Sequence, residues 1–104
     1  MNRYRVSSRV YGHLTGSHLF QCPDELEAHG YGPEGVELVH QLADADANAR
    51  GVRTVELDAA STQVLRELVE TMALGAADNT WDPDGLADLN AARAMLRQLS
   101  AVAS

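Results

Sequence analysis

Five side chains in the first forty residues are of the kinds that ligate borderline metal ions: His13, His18, Cys22, His29 and His40. Imidazole and thiolate suit zinc, and His13, His18, Cys22 and His29 converging on one point would form a zinc site. Their spacing matches no closed zinc motif, and no Cys-x-x-Cys pair is present to mark one. The plainer interpretation is a set of scattered histidines and one small thiol packed as a hydrophobe. Cys22 is also a poor nucleophile. A catalytic thiolate needs positive surroundings and a histidine oriented by a third group, whereas Asp24 and Glu25 set negative charge beside it.

Carboxylates are plentiful, but neither Asp44 with Asp46 nor Asp78 with Asp82 and Asp84 has the alternating ligands and distal glutamate of a calcium loop. No glycine-rich phosphate loop, Gly-x-Ser-x-Gly elbow or His-Glu-x-x-His occurs. The remaining candidate is basic. Arg3, Arg5 and Arg9 alternate with Tyr4, Val6 and Val10, so residues 3–14 are predicted to form a strand whose polar face also carries Tyr11 and His13. Three arginines would release about three counterions, too few for firm nucleic-acid binding. Arginine and tyrosine are, however, enriched in protein-binding hot spots. The alternative is a solvated strand face with no partner.

The elements that must position these groups follow from turn and periodicity signals. Gly16-Ser17 predicts a tight turn and a second strand that ends before Pro23, pairing Leu14 with Leu19, His13 with Phe20 and Tyr11 with Cys22. Residues 24–29 allow one helical turn, and a loop rich in glycine follows. From Pro33, the residues Val36, Leu38, Val39, Leu42, Ala45 and Ala49 recur at helical spacing until Gly51. Residues 53–57 alternate as a half-buried strand with Val55 and Leu57 inward.

Asp58 is an N-cap candidate for a helix with the stripe Val64, Leu65, Leu68, Val69 and Met72, which Gly75 is expected to stop. Asp82 and Pro83 start another helix, with Trp81 placed to staple onto Leu86 and Gly85 a mild cost in the first turn. Its stripe is Leu89, Ala92, Leu96, Leu99 and Ala103, with Leu86, Met95 and Val102 beside it. Two stripes joined by a short connector bury each other as an antiparallel helical hairpin lying on a sheet.

The predicted fold is therefore α+β: a small two- to three-stranded antiparallel or mixed sheet, in the order β-β-α-β-α-α, covered on one face by helices. Residues 1–104 are read as one domain, since a chain of 104 residues supports a single core. Both edges of such a sheet are open, which makes a homodimer through an edge an expectation.

Hydrophobic residues make up 45% of the chain, yet no apolar run approaches the roughly 20 residues of a membrane span. The N-terminus lacks the apolar core of a secretion signal, so the expected location is cytoplasmic. Lysine and isoleucine are absent, every strong base is arginine and alanine appears sixteen times, as in a GC-rich bacterium or its phage. The net charge of −7 is uneven: residues 1–22 hold three arginines and no acid, and the rest holds five arginines against fifteen acids. Most of the surface should repel nucleic acid.

These features point to a non-enzymatic accessory or regulatory protein that acts by protein–protein interaction, without a cofactor, through Arg3, Arg5, Arg9, Tyr11 and His13. One alternative is an acidic decoy of a nucleic-acid-binding protein, which requires Glu34, Glu37, Asp44, Asp46, Glu56, Glu67 and Glu70 to share a surface. A second is a His/Cys domain that binds zinc.

Overall fold

The computed structural model describes residues 2–15 and 32–103, arranged as β1 (Asn2–Val6), α1 (Ser8–Thr15), α2 (Gly32–Asp44), β2 (Arg53–Leu57), α3 (Ala59–Ala77) and α4 (Pro83–Ala103). The fold is α+β, with a two-stranded antiparallel sheet and a C-terminal pair of antiparallel helices. β1 and β2 pair with Arg3 opposite Glu56 and Arg5 opposite Thr54. Alternation sends Tyr4, Val6, Val55 and Leu57 into the core and leaves Arg3, Arg5, Thr54 and Glu56 exposed on the outer face.

The segment predicted as one strand over residues 3–14 is half strand and half helix. The Ser7 hydroxyl accepts from the Val10 amide at 3.3 Å and the Ser7 carbonyl accepts from Tyr11 at 2.9 Å, which opens α1 with a cap. Val10 and Leu14, four residues apart, are then both buried on one side of that helix. The proposed pairings of Tyr11, His13 and Leu14 across a β-hairpin are thus replaced by helical positions. Their partners, the Gly16-Ser17 turn and the second strand lie outside the described residues.

α2 ends at Asp44 rather than continuing to Gly51. The Asn48 side chain accepts from the amides of Arg50 and Val52 at 2.8 and 3.1 Å, and this local bonding outcompetes a helix that could bury only methyl groups. Gly51 closes the turn with φ 77°, a conformation that favours glycine, and Ala47 bridges to Arg53 on the far edge of β2.

α3 is capped by Asp58 as expected: its carboxylate accepts from the Ser61 amide at 2.8 Å. That hydrogen bond holds the Asp58 carboxyl below its ordinary value. The predicted stripe is buried throughout, and the helix runs through Gly75 to Ala77, because glycine on an exposed helical face adds cost without a competing turn. α4 begins at Pro83 with the Asp82 carboxylate accepting from the Asp84 amide at 3.0 Å.

Gly85 has a firmer purpose than its sequence position suggests. A Cβ there would overlap the Asn79 carbonyl oxygen and approach its carbon to 2.9 Å, so the connector lies against the first turn of α4 only because the residue has no side chain. The buried face of α4 carries Leu89, Ala92, Met95 and Leu99. Met95 therefore takes the central position predicted for Leu96, which packs beside the core half-buried.

One polar link crosses the core. The Thr62 hydroxyl donates to the Asp58 carbonyl at 2.6 Å, so the buried Tyr4 hydroxyl, 3.3 Å away, donates to Thr62. No described helix is long and apolar enough to cross a membrane.

Candidate functional site

The residues singled out for binding do not form one face. Arg3 stands on the outer face of β1, its guanidinium 2.8 Å from the Glu56 carboxylate directly across the strand pair. Arg5 shares that face, and its backbone has an unusual partner. The Gln98 carboxamide of α4 accepts from the Arg5 amide at 2.7 Å and donates to the Arg5 carbonyl at 3.0 Å, as a neighbouring strand would. Arg9 is on α1, where it reaches Asp88 at 3.1 Å and Asp84 at 3.6 Å and ties α1 to α4.

Tyr11 is half-buried beneath Arg53, whose guanidinium carbon lies 3.5 Å from the ring centroid. Arg53 Nε is buried there without a hydrogen-bond partner among the described residues, so the aromatic face is its main contact. His13 is exposed on α1. At about 100° per helical residue, Arg9 and His13 lie on one side of α1 and Tyr11 on another. The strand that would have aligned all five exists only as far as Val6.

Of the metal candidates, His18, Cys22 and His29 lie outside the described residues. His40 is exposed on α2, and among the described residues no three His, Cys, Asp or Glu side chains gather into a metal-binding group. The acidic residues are spread as well: Glu34, Glu37 and Asp58 line one depression, Asp44 and Glu56 line another together with Arg3, and Glu70 borders a third. The sheet edges are not both open, since Gln98 occupies the Arg5 position of β1 and Ala47 bridges β2 at Arg53.

A different surface carries the unsatisfied apolar groups. Along the hairpin, Ala73, Leu74 and Ala77 of α3 face Leu89 and Leu96 of α4 across an open groove of about 400 Å³, whose walls also carry Glu70 and Arg93. Leu74 is 74% exposed, Leu86 on α4 is 45% exposed and Trp81 in the connector is 81% exposed. The expected staple of Trp81 onto Leu86 therefore buries little of the indole. Leu86, Leu89, Arg93 and Leu96 recur at three- and four-residue spacing, so Leu86 extends the groove wall toward the connector.

This surface was within reach of the sequence. Leu74 falls two residues past Met72, off the buried stripe, and its only helical alternatives are solvent or a partner. An exposed leucine bordering an apolar groove is the kind of surface that marks an interaction site. Comparison with protein families, with curated proteins and with solved structures finds no match.

Proposed function

We propose that the protein is a non-enzymatic interaction module whose binding surface is the apolar groove between α3 and α4, flanked by Leu74, Trp81 and Leu86. The observation that carries this reading is the 74% exposure of Leu74 on the wall of a groove floored by Leu89, with Leu86 one helical turn before Leu89 also exposed. Aromatic and aliphatic anchors with a thin charged rim are the composition of an interface core, and covering them removes apolar area from water at about 25 cal/mol per Å². The arginines first expected to bind are already engaged, Arg3 with Glu56 and Arg9 with Asp84 and Asp88. Arg5 and His13 remain as a secondary, polar margin on a different side of the fold.

Immobilised protein used to capture partners from a lysate of the source organism separates the two surfaces. Leu74→Asp and Trp81→Ser, both at exposed positions, should abolish capture, and Arg5→Glu should leave it intact. Capture that survives both hairpin changes and disappears with Arg5→Glu would return the binding surface to β1.

A further inference from the structure

We infer that the occupant of the α3–α4 groove is a second copy of the chain, docked groove to groove about a two-fold axis parallel to the hairpin, which makes a four-helix bundle. The inference rests on the groove being a binding surface and adds what fills it. The charge on its walls selects the occupant. One wall carries a single acid, Glu70 on α3, and the other a single base, Arg93 on α4. Among the described residues neither is ion-paired within the chain, although both border the same groove.

A partner bearing charge of one sign would match one wall and oppose the other. A two-fold operator along the hairpin sets α3 of each copy over α4 of its mate, so Glu70 meets Arg93 twice and both charges are answered. The same operation lays the groove walls of the two copies against each other, so Leu74, 74% exposed on its own groove wall, is covered by the apolar wall of its mate. Neither interaction needs a sheet edge, and the β1 edge is held at Arg5 by Gln98.

Sedimentation equilibrium of the full chain tests this. The wild type should run at twice 11.2 kDa. Glu70→Arg alone and Arg93→Glu alone each create two like-charge contacts and should weaken the dimer at least about tenfold. Mixing these two variants should restore a dimer, because each copy then supplies the charge its mate lacks. Leu74→Asp should give monomers without loss of helical signal.

A wild type that stays monomeric up to about 1 mM, beyond which a Kd carries little meaning for recognition, overturns the second-copy assignment. The groove could then still hold a different protein, which the capture experiment with Leu74→Asp decides separately. A dimer indifferent to both charge reversals, or one not restored on mixing, overturns the two-fold pairing. A dimer unmoved by Leu74→Asp is formed through some other surface and overturns the inference as a whole.

Discussion

At the β1–α1 end of the molecule, Arg3, Arg9 and the Arg5 backbone each meet a partner within the chain, whereas along the C-terminal hairpin Leu74, Trp81 and Leu86 remain in solvent. The first region looks like a binding face in the sequence because its charges stand out from an acidic background. In three dimensions two of those charges, Arg3 and Arg9, form exposed ion pairs within the chain, one from strand to strand and one from helix to helix. The second region looks like ordinary core because its residues are leucines at helical spacing, and it is there that apolar area is left over. Composition marks which side chains are conspicuous, and only the fold determines which are already satisfied.

The largest expected effect that tests this contrast lies on the buried side of the hairpin. Leu65, with no exposed surface, should cost about 2–5 kcal/mol when changed to Ala, the sum of lost burial and a residual cavity. Measured at concentrations low enough that the wild type is also monomeric, Leu74→Asp should leave the unfolding midpoint in urea nearly unchanged. Equal losses for the two variants would mean that Leu74 belongs to the core and the groove is not a free surface.

The two hairpin glycines give the next largest difference, and they have opposite signs. Gly85→Ala forces a methyl into the Asn79 carbonyl and should destabilise by roughly 1–3 kcal/mol, as overpacking does. Gly75 has open space around its Cβ position within α3, so Gly75→Ala should stabilise by up to about 1 kcal/mol. Thermal melts of both variants check the pair, and a stabilising Gly85→Ala would show that the connector does not rest on α4.

At the other end, Gln98→Ala removes two hydrogen bonds to Arg5, which are worth about 0.5–1.5 kcal/mol each. The sharper readout is hydrogen exchange at the Arg5 amide, which should accelerate in this variant. Gln98→Glu should accelerate it less, since a carboxylate still accepts from the amide but can no longer donate to the carbonyl.

The smallest effect is that of acid on Asp58. Its carboxyl is held below its ordinary value by the Ser61 amide, so its contribution is complete above the unfolded value and is lost as pH falls through the lower, folded one. Asn is also a competent cap. Asp58→Asn should therefore flatten the stability profile below about pH 4 while leaving neutral pH little affected, which chemical denaturation at a series of pH values measures.

Much of the fold was legible in the sequence where two local signals coincided. Asp58 ahead of an apolar stripe, and Asp82-Pro83 ahead of another, placed the starts of α3 and α4 because capping and periodicity act over a few residues. Where one signal stood alone it misled. The alternation from Arg3 to Val10 continued past the end of β1, although Ser7 and the Val10–Leu14 spacing already carried the marks of a helix. Gly75 resembled a stop because the chain does not reveal which helical face is open to water.

The candidate site was the least legible part. The stripe ending at Met72 already sets Leu74 off the buried face, but the groove beside it exists only because α4 brings Leu89 and Leu96 across from it, and long-range packing decides that. Arg9 likewise looks unattached until α4 brings Asp88 to it, 79 residues further on.

The contact between Arg5 and Gln98 spans 93 residues. On the ribosome, β1 is made before β2, its partner on one edge, and long before the α4 residue that closes its other edge at Arg5. Closure so distant along the chain is slow compared with forming the helical hairpin. The second edge of β1 is thereby among the last parts to be secured, and until then its backbone is open to pairing with other nascent chains.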